Sequence, residues 1–257
     1  MNKVFFKKKV LITGNTGFKG SWLSLWMYSL GAKVLGISNN YPTNPSNFKD
    51  LNLIKKIKFK KIDIRNFNKV KKEVLDFQPD FIFHLAAQAI VKKSYEDPKY
   101  TWETNTLGTI NILDSLQVIK KKVIAVIITS DKAYKNLEIN RGYSEKDILG
   151  GEDPYSASKS AADIATQSYI KSTLKNKKNI KISIARAGNV IGGGDWSSGR
   201  IIPDCIREWS SNKIVKIRNP RSTRPWQHVL DVLSGYILLA KKLSSNEISN
   251  GEAFNFG

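Results

Sequence analysis

The chain has 257 residues, 41% of them hydrophobic, with 42 Lys and Arg against 22 Asp and Glu, a formal charge of +20. That length and apolar content support one large α/β domain with a proper core and exclude a disordered chain. A single cysteine, Cys205, excludes an internal disulfide, and two histidines, His84 and His228, make no zinc-ligand cluster, so no metal is expected.

In chain order, strands are predicted at 9–14, 33–38, 58–64, 80–86, 123–130 and 180–187, with helical patterns between them. Such alternation marks an α/β fold with a Rossmann-like doubly wound parallel sheet. Val10-Leu11-Ile12 and 123–128 are continuously apolar, as central strands buried on both faces should be. From Gly188 the pattern loosens into glycine-rich and polar stretches. The expectation is a main Rossmann-like domain over 1–187 and a smaller C-terminal region over 188–257, with 213–243 partly returning to the main domain.

The first strand feeds Gly14-Asn15-Thr16-Gly17-Phe18-Lys19-Gly20 and then an amphipathic helix. Glycine is needed there because a side chain blocks backbone approach to a pyrophosphate, and the helix start offers unpaired N–H groups and a positive dipole end. Gly14, Thr16, Gly17, Phe18 and Gly20 are therefore candidate cofactor residues. Trp22 and Trp26, four apart, read as core. After the second strand stands Ser38-Asn39-Asn40, where an acid would hold the ribose, so that position does not separate NAD from NADP. Asp63-Ile64 resembles the pair that holds adenine in the short-chain dehydrogenase superfamily, which the glycine spacing also resembles; the alternative is that Asp63 caps a helix over 66–77. His84 closes the fourth strand as a structural residue, and Leu85, Ala86 and Ala87 after it are small enough for close cofactor approach.

The strand at 123–130 ends in Ser130-Asp131-Lys132, and a helix beginning near Pro154 carries Tyr155 and Lys159 four apart, on one face. Free tyrosine titrates near ~10, so its use as a base near neutrality requires about 4 kcal/mol of preferential phenolate stabilisation. A neighbouring ammonium and the charge of an oxidised nicotinamide push that way. Ser130, Tyr155 and Lys159 together would oxidise a secondary alcohol: the serine orients the hydroxyl, the phenol takes its proton, and the lysine stabilises the phenolate. Tyr155 and Lys159 would also contact the cofactor.

Five segments resemble the CDP-glucose 4,6-dehydratase family, an extended short-chain dehydrogenase group: 13–22, 129–132, 150–156, 185–196, and Arg218-Asn219-Pro220 through 224–229. The resemblance spans essentially the whole chain. It implies a lyase that converts CDP-D-glucose to CDP-4-dehydro-6-deoxy-D-glucose, with NAD reduced and reoxidised in one turnover. Asp131 and Lys132 would eliminate water after the C4 ketone has acidified the C5 hydrogen; Lys132 must then be neutral, which Lys159 and the nicotinamide charge favour. Substrate would be held by Gln88, Asn105, Asn189, Arg200 and Arg224, with His228 and Arg218 as weaker candidates. The resemblance further implies a homodimer built on helices at 98–120 and 154–174, and deoxysugar biosynthesis, as for lipopolysaccharide O-antigen. Family members continue past the strand at 253–257, so the chain is expected to lack part of the substrate region. A nucleotide-sugar 4-epimerase or reductase, and an NAD-binding protein without activity, are the rival readings.

The lysines lie at element ends, in 7–9, 55–61, 69–72, 120–122 and 175–178, and no nucleic-acid recognition motif accompanies them. They read as solvated charge, and no nucleic-acid partner is expected. No apolar stretch reaches the length of a membrane span, and the basic N-terminus runs directly into a strand, so a cytoplasmic protein without a membrane partner is expected.

Overall fold

The computed structural model describes residues 3–217 and 220–257. Its strands are β1 Lys9–Thr13, β2 Lys33–Ser38, β3 Lys58–Lys61, β4 Phe81–His84, β5 Val123–Ile128, β6 Ile180–Ala187, β7 Asn189–Ile191, β8 Trp226–His228 and β9 Ala253–Phe256. Seven of them form one parallel sheet in the order β3-β2-β1-β4-β5-β6-β9, while β7 and β8 pair, also in parallel, apart from it. The helices are α1 Phe18–Ser29, α2 Asn47–Asp50, α3 Phe67–Phe77, α4 Val91–Glu96, α5 Pro98–Trp102, α6 Gly108–Leu116, α7 Pro154–Lys171, α8 Ile201–Ser210 and α9 Val229–Ser245. This is the Rossmann-like doubly wound arrangement. Strand order reverses between β1 and β4, so the crevice where ligands bind in such sheets opens at the carboxyl ends of these two neighbours.

Alternation along each strand supplies two cores. Val10, Ile12, Phe83, Val126 and Ile128 turn to one face, where Leu23 and Met27 of α1 and Val232, Tyr236 and Leu239 of α9 cover them. Leu11, Ile37, Ile82, Ala125 and Ile127 turn to the other, beneath Val70 and Val74 of α3 and Ile112 and Leu113 of α6. Burial on both faces is why the central strands carry no polar alternation.

Two elements depart from expectation. The strand expected at 58–64 stops at Lys61, because Asp63 turns back and accepts from the Arg65 backbone N–H at 2.9 Å. The single helix expected at 98–120 is α5 and α6 joined by a π turn, Glu103–Leu107, and ends at Leu116. The return of the C-terminal part to the main domain, expected within 213–243, is made by α9, which packs on β5, β6 and α1, and by β9, which pairs with β6 from Ile184↔Ala253 to Ala187↔Phe256. What lies outside the main sheet is 188–228. Among the described residues no helix is long and apolar enough to cross a membrane.

Candidate active site

At the switch point, β1 ends and Gly14 turns with φ +73° directly against β4's exit: a Cβ there would lie 2.7 Å from the Ala86 nitrogen. A Cβ on Gly20 would lie 2.1 Å from the Gly14 carbonyl oxygen, so the helix start can close on the loop only with hydrogen in that position. Gly17 is the N-cap of α1 and caps it without a side chain, and the first turn holds no acid. The N–H groups of that turn are thus available to an anion, and the backbone cradle has the form that a dinucleotide pyrophosphate requires. Thr16 fixes the loop to β2, its N–H donating to Ser38 Oγ (3.2 Å) and its hydroxyl to the Asn40 carbonyl (2.6 Å). Leu85 and Ala86 donate their N–H groups to the Thr13 carbonyl and Thr13 Oγ1, holding the β4 exit beside the cradle, with Ala87 following half-buried. Phe18 begins α1 and packs against the core.

His84 is buried between Thr13 Oγ1 (2.7 Å) and Thr109 Oγ1 (3.0 Å), and burial lowers its imidazole to about 3. It is a neutral strut. Asp63 is not the helix cap: the Asn66 side chain caps α3 by accepting from Lys69 N, and the Asp63 carboxylate is held by Arg65 at 2.8 Å. Burial alone raises the Asp63 carboxyl, but the Arg65 bonds prevail and hold it below the usual range. The Ile64 side chain points into the core, against Gly108.

Past β5, Thr129 keeps its bond to β6, and Ser130 then caps a short 3-10 turn, Asp131–Ala133: its Oγ accepts from Lys132 N (3.2 Å) and donates to Asp131 Oδ1 (3.0 Å). Across the crevice Asp153 caps α7, accepting from the N–H groups of Tyr155 (2.9 Å) and Ser156 (3.0 Å), which places Tyr155 in the first turn and Lys159 one turn later. Lys159 is buried, donates to the Ile128 carbonyl at 3.3 Å, and is lowered by burial to about 8. The Tyr155 phenol moves opposite to expectation. Burial, which penalises the phenolate, pushes it up; the Ser130 hydroxyl and Arg200 pull it down, and the Asp131 charge adds to the rise. The protein's own groups therefore favour the phenol, and the charge of an oxidised nicotinamide would have to supply the remaining pull toward phenolate.

Two residues passed over in the sequence belong to this cluster. Lys19, at the second position of α1, reaches over to donate to the Tyr236 hydroxyl of α9 at 3.3 Å. Burial, then Lys159 and Arg200, lower its ammonium to about 7, against an opposing pull from Asp131. Tyr236 is fully buried, and burial together with the Tyr155 charge pushes its phenol up. A signal existed for Lys19: a cation in the first turn of a helix faces the positive dipole end, where it is disfavoured. Tyr236, 217 residues away, carried none.

The expected substrate residues divide. Arg200, whose charge reaches both Tyr155 and Lys19, stands at the N-cap of α8 and pairs with Asp195 at 2.8 Å. Asn189 is in β7, opposite Trp226 of β8, and Arg224 is exposed on the approach to β8. Gln88 and Asn105 are bonded to each other. Gln88 N–H donates to Asn105 Oδ1 (2.8 Å), Asn105 Nδ2 donates to the Gln88 carbonyl and Ser158 Oγ, and Gln88 Nε2 donates to the Ile90 carbonyl and Thr101 Oγ1. Both amide groups have spent their donors inside the fold. His228 caps α9, its Nδ1 accepting from Leu230 N at 3.3 Å. Arg218 lies outside the described residues.

A model of the family described as GDP-mannose 4,6 dehydratase matches residues 11–257. A CDP-glucose 4,6-dehydratase of Salmonella typhimurium is 44% identical over 254 residues, covering 97% of this chain and 71% of the relative's length. Among solved structures, a Thermus thermophilus UDP-glucose 4-epimerase in complex with NAD superposes with a TM-score of 0.79 at 26% identity, covering 97% of this chain and 77% of that one. A Streptomyces venezuelae dTDP-glucose 4,6-dehydratase with NAD bound gives 0.83 at 23% identity, over 97% and 75%.

Proposed function

The chain belongs to the GDP-mannose 4,6 dehydratase family, and from that premise we propose that it converts CDP-D-glucose to CDP-4-dehydro-6-deoxy-D-glucose with loss of one water. The observation that carries this reading is the turn at the end of β5, where Ser130 caps the very residues, Asp131 and Lys132, that dehydration needs beyond alcohol oxidation.

The cradle of Gly14, Gly17 and Gly20 would hold NAD, which would supply the hydride acceptor for C4 and the hydride donor for C6. Ser130 Oγ orients the C4 hydroxyl, and Tyr155 accepts its proton as a phenolate and passes it on to solvent, since the product keeps the C4 ketone. Lys159, fixed on the Ile128 carbonyl, keeps an ammonium under that phenolate. Oxidation at C4 acidifies the C5 hydrogen, which Lys132 removes, while Asp131 gives a proton to the C6 hydroxyl as it leaves. Water departs and a C5–C6 double bond remains to receive hydride at C6 and a proton at C5. Arg200 and Arg224, with Asn189, grip the substrate diphosphate, for which the guanidinium fork is suited. The 188–228 segment is the sugar-covering part.

The protein works in the cytoplasm as a homodimer through α5–α6 and α7, a reading supported by the exposed Trp102, Leu107 and Ile164 on those elements. The deciding experiment is incubation with CDP-, dTDP-, GDP- and UDP-hexoses, read by product mass. The expected result is loss of one water from CDP-glucose alone, with the C4 hydrogen found at C6 and solvent deuterium at C5. A C4 epimer of unchanged mass gives the site to an epimerase. NAD retention without turnover of any sugar removes the activity altogether.

A further inference from the structure

One charged group in the core is used by none of these steps. Arg186 of β6 is 2% exposed and Asp163 of α7 is 0% exposed, and they make a two-point ion pair, Nε to Oδ2 at 2.8 Å and Nη2 to Oδ1 at 3.0 Å. Asp163 also accepts from Thr129 Oγ1 (3.2 Å) and Gln167 Nε2 (2.7 Å). The remaining Arg186 nitrogen, Nη1, donates to the Tyr134 hydroxyl (2.8 Å) and to the Glu145 carbonyl (3.0 Å).

The positions of these partners give the network its meaning. Asp163 follows Lys159 by one helical turn on α7. Thr129 precedes Ser130, and Tyr134 follows Lys132 by two residues. The Arg186–Asp163 pair thus ties the helix bearing Tyr155 and Lys159 to both ends of the segment bearing Ser130, Asp131 and Lys132, Asp163 through Thr129 and Arg186 through Tyr134. Tyr134 OH continues outward to Asn255 Oδ1 (2.6 Å), and Asn255 returns bonds from its N–H to Glu145 Oε1 (2.8 Å) and from Nδ2 to the Tyr143 carbonyl (2.8 Å). The Tyr134 and Tyr143 rings stack at 5.2 Å, so the loop at 135–149 is pinned by the same group. A buried ion pair adds little net stability over an apolar packing of equal volume. Its bonds are directional, however, and they fix spacing where apolar contacts permit sliding.

We propose that Arg186, Asp163 and Tyr134 are positioning residues that set the Asp131-Lys132 turn against the Tyr155-Lys159 helix, so that elimination follows oxidation without loss of the ketone. The catalytic consequence rests on the dehydration reading above; the mechanical one does not. Tyr134→Phe is the test, because it keeps the ring stack and the Arg186–Asp163 pair and deletes only the hydroxyl link. Two measurements are made on the full chain with NAD present. Amide hydrogen exchange is expected to quicken about tenfold at 131–135 and 143–148 while the first turn of α7, 154–159, stays protected. With CDP-glucose, kcat for water loss is expected to fall about 10- to 100-fold, with KM within about twofold, and in a single turnover a larger share of the bound NAD is left as NADH beside the 4-ketone that still carries its C6 hydroxyl. Arg186→Lys, which keeps the charge but loses the fork, is expected to show the same pattern more strongly.

Unchanged exchange in Tyr134→Phe overturns the proposal. So does a fall in oxidation and elimination by the same factor alongside a lowered Tm, which is the mark of a brace for stability alone. If the unaltered protein converts no sugar nucleotide, the function fails by that result, and the exchange data alone then decide the brace.

Discussion

The crevice has two walls of different build. One is the ends of β1, β4 and β5 with the first turns of α1 and α7; its chemistry-bearing groups are buried and tied to the sheet, as Lys159 is to the Ile128 carbonyl and Ser130 to Lys132 N. The other is 188–228, resting on β7 and β8, two strands of three residues each, with Trp226 at 42% exposure and Ile214 at 89%. Bonds from Trp22 Nε1 to the Gly193 carbonyl and from Arg200 to Asp195 join and stiffen it. The contrast separates two tasks. Proton and hydride transfer tolerate little displacement, whereas a flexible diphosphate is held adequately by long cationic side chains at a distance from the sheet.

The largest effect that tests this contrast is expected on the buried wall. Tyr155→Phe keeps the ring in its first-turn position and removes the proton acceptor, so kcat should fall at least about 10³-fold with NAD still retained; general acid–base contributions of 10² to 10⁴ are ordinary. Lys132→Ala should still oxidise C4 slowly and release ketone without losing water. Rapid kinetics with C4-deuterated CDP-glucose checks both, and normal dehydration by both variants discards the assigned roles.

Next comes the cradle. Gly20→Ala places a methyl 2.1 Å from the Gly14 carbonyl oxygen, where the obstacle is backbone and cannot swing aside. The loop and α1 must separate, at a cost of about 3 kcal/mol in stability. NAD retention should be lost along with it, measured as the nucleotide released on denaturing the purified protein. Retained NAD and an unchanged unfolding midpoint would show that the loop accommodates a methyl and that the cradle argument is mistaken.

The outer wall should answer more mildly. Arg224 is exposed, and its Nη1 donates to the Thr223 carbonyl. Arg224→Ala should raise KM for CDP-glucose about tenfold, the lower range for a hydrogen bond to a charged group, with kcat, NAD content and Tm nearly unchanged. A variant that instead loses kcat places this arginine in the chemistry and dissolves the division between the walls.

The same division governs what could be read from residue order. Features generated by local physics were visible: β2 and β6 at their observed bounds, the glycine loop between strand and helix, and Tyr155 with Lys159 four apart. Features made by side chains meeting across the sheet were not. Lys19 and Tyr236 meet over 217 residues, Gln88 and Asn105 close on each other around a π turn that no periodicity announces, and Arg186 reads as one more base in a basic chain. The resemblance to dehydratases put Gln88, Asn105 and His228 at the substrate. In the fold Gln88 and Asn105 bond to each other and His228 Nδ1 accepts from Leu230 N, partners that the motif match did not announce.

The mildest prediction measures how dry the buried wall is. His84 sits between two threonine hydroxyls with its imidazole lowered from 6.5 to about 3. Between those values the unfolded chain holds a proton on this ring that the folded chain refuses. Stability carried by the neutral ring is therefore complete above pH 6.5 and is lost as pH falls toward 3, at about 1.4 kcal/mol per pH unit once the unfolded ring is fully protonated. Depressed carboxyls such as Asp63 and Asp80 also weaken the fold in acid, so the total slope says little by itself. The informative quantity is the difference between the parent chain and His84→Gln, whose amide reaches the same threonines without a titrating proton. Urea midpoints from pH 7 to 4 should converge as pH falls, the parent losing its advantage by about one proton's slope. Parallel curves would mean that the ring takes up a proton inside the fold as readily as outside, and a β4 exit wet enough for that is not the rigid wall on which the hydride geometry depends.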